Sequence, residues 1–391
     1  MIIQSQSIRL GITTTEDRAG NATWEFHVDR DGTHHGLSDE QCQLAFPKLF
    51  VELDKSAGQR REKKGTPIRY EEIAGPLDDA MVRGVIYEGD LYILDVQGMK
   101  ATFSRARATL SSLHRALQAF PGRRALPNIE FILTTEDFVQ RTNEPVWAYS
   151  KRAVDEDKDA VWLMPDFGYW AWPEVQIGPY EAARQRIAAV DAEVPFAEKK
   201  KQLVWRGSLA PSPELRGRLL RAARGTSWAS IRVLDWEDAD DVRLNLLPIE
   251  DHCRYMFLAH TEGRSFSGRG KYLLNCRSVM VSHRLEWREA HHAALVASGP
   301  EANFVEVERD WSDLERKIEY LIDHPDVAEK IADNAIRTFR DRYLTPAAES
   351  CYWRHLIRQY ASVCDFEPEL YTSSEGRKQL RGIPFETWIL S

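Results

Sequence analysis

At Gly84-Val85-Ile86-Tyr87-Glu88-Gly89-Asp90-Leu91-Tyr92-Ile93-Leu94 the hydropathy pattern of the chain sharpens. Two short apolar runs flank Glu88-Gly89-Asp90, which predicts two strands around a turn. Downstream, Leu110, Leu113, Leu117 and Phe120 share one helical face, and Pro121-Gly122 ends that helix. Residues 129–135 form a short apolar run that reads as a buried strand. Strand, helix and strand in succession predict a layered α/β domain.

The alternation resumes further along. Residues 161–180, aromatic and rich in Pro and Gly, read as a long ordered loop, and 181–189 as a helix. Strands are predicted at 202–205, 230–234, 279–282 and 303–307, and helices at 214–224, 250–259, 270–276, 311–323 and 325–343. Thr345-Pro346 starts the last helix, with a capping hydroxyl and Pro at the first helical position. The reading divides the chain into an irregular, polar N-terminal extension (1–80), a first Rossmann-like domain (81–195), a second (196–345), and a C-terminal helix and tail packing back (346–391). The mixed-charge run 59–64 reads as a solvated loop.

Composition narrows the function classes. The 391 residues carry 52 Lys plus Arg against 60 Asp plus Glu, a net charge of −8. Sequence-independent nucleic-acid binding draws its affinity from a basic face, so nucleic acid is not an expected partner. No apolar run approaches the roughly 20 residues of a membrane span, and residues 1–5 show no basic segment followed by an apolar one. The sequon Asn21-Ala22-Thr23 is too common by chance to show secretion. Twelve Trp, several of them between Trp147 and Trp172, are a high share, and Trp suits either a core or a sugar ring. The five Cys form no Cys-x-x-Cys pair, and no His stands at zinc-finger spacing from them, so no metal site is expected.

Several residues have addresses suited to chemistry. Asp137 follows the strand at 129–135, where ligand crevices of open α/β sheets lie, and it could take a proton from a hydroxyl. Glu136 competes for the role, and Asp95 has a similar address; an N-cap is the plain alternative. Arg206-Gly207-Ser208 ends a strand ahead of a helix carrying Arg216 and Arg218, which together suit a phosphate. The stretch from Glu262 to Tyr272 holds Gly263, Gly268 and Gly270, two serines and Arg264, Arg269 and Lys271. It suits either a diphosphate, with Glu262 accepting from ribose or sugar hydroxyls, or a surface loop. Asp155/Asp157 and Asp238/Asp240 read as solvated loops, His252 as a hydrogen-bonded structural residue, and no Gly-x-Ser-x-Gly marks a hydrolase.

Five ordered segments carry a more specific signal: Trp170-Ala171-Trp172-Pro173, Val204-Trp205-Arg206-Gly207-Ser208, Asp251-His252-Cys253-Arg254-Tyr255, Ser267-Gly268-Arg269-Gly270-Lys271-Tyr272-Leu273-Leu274 and Cys351-Tyr352-Trp353. Over about residues 125–365 this pattern resembles glycosyltransferase family 90, the capsule-associated-protein family that includes Rumi-type protein O-glucosyltransferases. The resemblance implies a GT-B-like fold of two Rossmann-like domains facing a cleft. It implies transfer of glucose or xylose from a UDP-sugar, with inversion and without a metal or cofactor, to a protein or glycan hydroxyl. Asp137 would be the general base, within Glu136-Asp137-Phe138-Val139 rather than the family's usual Arg-Asp. Ser208, Arg216 (or Arg218), Arg269, Glu262 and Gly268 would hold the donor, and Trp170 and Trp172 would line the acceptor or sugar side. Cys253 and Cys276 would form a disulfide, and the family suggests the ER or Golgi lumen. A carbohydrate-binding protein that keeps the fold without turnover is the alternative.

Overall fold

A computed structural model describes residues 24–62, 67–98, 102–153, 160–374 and 377–391. The sequon at Asn21 and the acids Asp155 and Asp157 lie outside them. The stretch from Gly84 to Leu94 forms the predicted hairpin, Met81–Tyr87 against Asp90–Gln97, with Tyr87 facing Asp90. The two-residue loop takes positive φ at both positions, 49° at Glu88 and 80° at Gly89. That is the backbone of a type I′ turn, whose twist matches its strands.

Met81–Tyr87 is antiparallel to Asp90–Gln97 on one side and to Ile129–Thr134 on the other. Those two neighbours are therefore parallel to each other, and both end at the same sheet edge. Trp147–Ala148 and Trp162–Leu163 continue the sheet in parallel, and Ile383–Pro384 closes its other side as the sixth strand. The expected Rossmann-like first domain is thus corrected to a mixed sheet, because a tight hairpin can only join antiparallel strands.

The second sheet is parallel throughout, in the order Ala229–Val233, Lys200–Gly207, Tyr255–His260, Val279–His283, Val305–Val307. Its chain order reverses beside Lys200–Gly207, and ligands of such sheets bind at that reversal, beyond the strands' carboxyl ends. The helix expected at 250–259 is a single 3₁₀ stretch, Glu250–Arg254, followed by the wholly buried strand Tyr255–His260. A central strand covered on both faces loses the period-2 pattern, and periodicity alone cannot tell it from a buried helix.

The described residues among the first 80 are likewise not irregular. Asp39–Ala45 and Val51–Glu62 are helices, and the latter includes part of the charged run, whose Lys63 and Lys64 lie outside the described residues. Leu37, Phe46, Phe50 and Leu53 are buried in one core with Trp353 and Leu356 of the helix Pro346–Ala361. Hydropathy hides this helix because its inner face carries charge. Glu52 meets Lys151 at 3.3 Å and Arg288 at 3.1 Å, and Arg60 pairs with Glu72. A disulfide, Cys42–Cys351, fastens the two ends of the chain together. Thr345 caps the last helix by accepting from the Ala348 N–H at 3.2 Å. The helix before it runs Pro325–Ala335 and then widens into a π-helix, Ile336–Tyr343. No helix among the described residues is long and apolar enough to cross a membrane.

Candidate active site

The carboxyl edge of the parallel sheet gathers the residues picked out in the second half of the chain. After Gly207 the backbone turns at Ser208, whose Oγ accepts from the Ala210 N–H at 3.2 Å. The ten-residue helix Pro213–Ala222 then starts, and Arg216 in its first turn reaches back into the sheet edge. Its Nη1 donates to the Ser208 carbonyl at 2.6 Å and its Nε to the Glu262 carbonyl at 3.1 Å. Arg218 instead points outward and pairs with Glu214.

Arg269 comes to the same edge from the loop after Tyr255–His260. A Cβ placed on Gly207 would stand 3.2 Å from its Nη2, so the bare glycine backbone leaves that guanidinium its room. Neither Arg216 nor Arg269 has an ion-pair partner among the described residues. Burial pushes both side chains down to about 10, and Arg216 adds its repulsion at Arg269. Two dehydrated cations held together without an acid form a site for an anion with more than one charge.

Glu262 departs from its expected role. One carboxylate oxygen accepts from the N–H groups of Glu286 and Trp287, both at 2.8 Å, and the other from Arg309 Nη1 at 2.8 Å. Burial raises its pKa despite these partners. What Glu262 offers the cleft is its backbone carbonyl, which holds Arg216 in place. Arg309 was missed in the sequence because it lies far down the chain, beyond the last parallel strand.

In the first half of the chain, Asp137 stands just past Ile129–Thr134, one third exposed. Its Oδ1 accepts from Arg105 Nη1 at 2.8 Å, and Oδ2 accepts no hydrogen bond among the described residues. Arg105 belongs to the first turn of the helix Phe103–Gln118, which starts where Asp90–Gln97 ends. The two parallel strands bring both residues to one edge, a pairing no spacing in the sequence announces. The Ser265 and Ser150 hydroxyls donate to the Asp137 carbonyl, so Ser265 ties the second half to this loop. Beside Asp137 opens a groove of about 660 Å³ lined by Asp78, Thr134, Glu136, Phe138, Arg141 and Arg264. That volume lies in the range of small-molecule sites. Asp95 faces away from any such role: it lies within its strand and accepts from the N–H of Val96.

The aromatic segment and the loop at 267–274 close on each other. Lys271 is fully buried and uses all three ammonium protons, on Asp166 Oδ1 (2.7 Å), Asp166 Oδ2 (2.9 Å) and the Gly268 carbonyl (2.9 Å). The Tyr272 hydroxyl donates to the Gly168 carbonyl at 2.8 Å. Trp172 packs on this clasp, edge-on to Phe167, and a Cβ on Gly268 would meet its ring at 3.1 Å. With Arg206, His252 and Arg269, Trp172 lines a small cleft next to the arginine pair. The structure does not bring Trp170 there. Its ring lies under Arg115, ten residues along the helix from Arg105 and so about 15 Å away along the axis.

The remaining expectations resolve simply. Cys253 and Cys276 are bridged, joining the 3₁₀ stretch to the segment after the loop. His252 is buried, its Nδ1 bonded to the Pro248 carbonyl at 3.0 Å, and burial lowers it to about 3. Asp238 caps a helix, accepting from the N–H groups of Asp240 and Asp241.

The chain is 28% identical over 269 residues to the O-glucosyltransferase rumi homolog of Aedes aegypti, covering 62% of this chain and 63% of that protein. It is 25% identical over 261 residues to protein O-glucosyltransferase 1 of Homo sapiens, with coverages of 62% and 64%. With O-glucosyltransferase rumi of Drosophila melanogaster the figures are 25% over 269 residues, 62% and 62%. The chain therefore spans less than two thirds of the length of these curated relatives. A family model described as glycosyl transferase family 90 matches residues 60–378, most of the chain. The mixed α/β fold, the arginine pair and Asp137 thus sit in a chain that belongs to glycosyl transferase family 90.

Proposed function

We propose that the chain is an inverting glycosyltransferase that moves glucose or xylose from a UDP-sugar to a hydroxyl of a protein or glycan. The arrangement is GT-B-like, two α/β halves around a cleft, with no metal at the diphosphate. The observation that carries this reading is the pair Arg216, buried, and Arg269, partly buried, with no carboxylate partner among the described residues, at the switch point of a parallel sheet. The names of the relatives, all O-glucosyltransferases, support glucose as donor sugar and protein as acceptor.

In this reading Asp137 Oδ2 takes the acceptor's proton as the acceptor oxygen bonds to the anomeric carbon. The bond from that carbon to the UDP oxygen breaks on the opposite face. Charge grows on the departing diphosphate, where Arg216, Arg269, the Ser208 turn and the start of the helix Pro213–Ala222 stabilise it. Trp172 and Gly268 border the donor side. Arg105 holds Asp137 in one orientation and leaves Oδ2 for the acceptor. Two disulfides fit an oxidising compartment.

One observation favours a second reading, a sugar-nucleotide binder without turnover: half of the Asp137 carboxylate is already engaged by Arg105. UDP release from a panel of UDP-sugars, with EDTA and with or without peptide and glycan acceptors, separates the two. The transferase reading expects release from one or two sugars and loss of roughly 10²–10⁴-fold in Asp137→Asn, with UDP affinity retained. Undiminished turnover in that variant removes Asp137 from the mechanism. Loss of turnover on chelation, with the far-ultraviolet circular dichroism unchanged, removes the metal-free route. Binding without release under any condition establishes the second reading.

A further inference from the structure

Glu289, His291 and His292 stand together in one turn. The chain here makes consecutive tight turns, with the His292 N–H on the Glu289 carbonyl (3.0 Å) and the Ala294 N–H on the His291 carbonyl (3.2 Å). Residues three apart eclipse in such turns, so Glu289 and His292 present their side chains together. Glu289 and His291 are each 2% exposed. The carboxylate and both imidazoles offer ligand atoms that all lie within 4.8 Å of one another.

Their hydrogen bonding is unfinished. Neither oxygen of Glu289 and not Nε2 of His291 makes a hydrogen bond among the described residues. His292 Nε2 stands 3.1 Å from Glu289 Oε2, an ion-pair contact at one oxygen of the carboxylate. A third buried imidazole, His260, sits close enough to feel the charge of His292, and its Nδ1 is also unpartnered. Buried polar groups in folded proteins are almost always paired, and a cluster of unpaired ligand atoms pointing at one another needs a common partner.

We propose that Glu289, His291 and His292 bind one divalent transition-metal ion, zinc by its donor set, with water in the fourth position. A carboxylate and two imidazoles are a zinc set, and tetrahedral ligand bonds of about 2.0–2.1 Å place such atoms about 3.4 Å apart, a small closure from the present spacing. The site braces the fold. The His291 ring stands edge-on to Phe339 of the π-helix at 6.1 Å, and the turn follows Trp287–Arg288, which pairs with Lys151–Arg152 of the first half. No hydrogen bond or ion pair among the described residues joins the three ligands to Arg216 or Arg269.

The test uses the whole chain without an affinity tag and reads metal, not turnover. Elemental analysis after dialysis against metal-free buffer is expected to find one zinc per chain. After stripping, titration with Co²⁺ is expected to saturate at one equivalent with the visible absorption of four-coordinate cobalt, and Zn²⁺ is expected to displace it. Glu289→Gln and His291→Gln are each expected to weaken Co²⁺ uptake by at least about tenfold with unchanged far-ultraviolet circular dichroism. Uptake equal to wild type in both variants overturns the proposal. If a variant does not fold, the wild-type titration decides alone: no visible band at one equivalent means that the cluster is only a Glu–His ion pair.

Discussion

Replacing Lys271 with Met tests the clasp that holds the aromatic segment against the loop carrying Arg269. Lys271 is fully buried, the Asp166 side chain is 4% exposed, and the pair is made through two contacts of 2.7 and 2.9 Å. The variant leaves the Asp166 carboxylate buried with one hydrogen bond, from the Gly168 N–H at 2.7 Å. Removing one member of a buried pair costs about 3–5 kcal/mol, because the other charge stays dehydrated. At about 2.1 cal/mol/K per residue, the unfolding entropy of a chain this long is about 0.8 kcal/mol/K, so Tm falls by about 4–6 °C. Methionine keeps the volume and the contacts with Tyr169, Trp172 and Tyr272, whose rings surround the ammonium at 4.7–6.0 Å. Urea unfolding followed by tryptophan fluorescence measures the cost. The double variant Lys271→Met/Asp166→Asn removes both charges while an amide oxygen still serves Gly168, and is expected to regain about 2 kcal/mol or more relative to the sum of the single changes. A single-variant cost below about 1 kcal/mol, or simple additivity in the double variant, would refute the picture of a dry, coupled pair.

Three further outcomes are expected. Arg269→Gln is expected to weaken UDP binding by about 10- to 100-fold, the worth of a buried charged hydrogen bond. The free protein should be no less stable, because the repulsion from Arg216 disappears; a marked loss of stability with UDP affinity intact would mean that Arg269 serves the fold. Burial lowers His35 and His283 to about 4 and His252 to about 3, so the unfolded chain binds these protons first as pH falls below 6.5. Their stabilisation is present above 6.5 and lost toward the folded values, about 2 kcal/mol each between pH 7 and 5. The raised carboxyls Glu262 and Glu349 act in the opposite sense, so comparison with His252→Gln isolates one histidine. An unchanged pH slope of the urea midpoint in that variant would exclude it. Opening Cys42–Cys351, which closes a loop of 309 residues, should cost about 6 kcal/mol, against about 3 for Cys253–Cys276 with its separation of 23. Urea denaturation of the two alanine pairs checks the order, and the reverse order would refute it.

The hairpin around Glu88-Gly89 and the Arg-Gly-Ser turn after Trp205 were legible because each depends on neighbours in the chain: a positive φ that favours glycine, or a strand ending at a break. The position of Asp137 just past a strand was legible, as was that of Arg216 on the helix after the Arg-Gly-Ser turn. Local sequence also sufficed for the cap at Thr345, whereas Asp238, read as part of a solvated loop, caps a helix. The strand Tyr255–His260 was not legible, since an apolar run buried on both faces has no period to read. The N-terminal helices were hidden by Glu52 and Arg60, polar residues on an inner face whose partners lie as far away as Lys151 and Arg288.

What the sequence by itself determined is the alternation of elements and which residues end at strand edges, because backbone propensity and burial pattern act over a few residues. What only the tertiary structure decided is pairing. Arg105 meets Asp137, Lys271 meets Asp166, Arg309 takes the carboxylate that Glu262 was expected to offer a sugar, and Cys42 finds Cys351. Each of these joins residues separated by tens to hundreds of positions. A buried charge or thiol must find its partner wherever the fold brings one, and the order of strands in the two sheets sets that place.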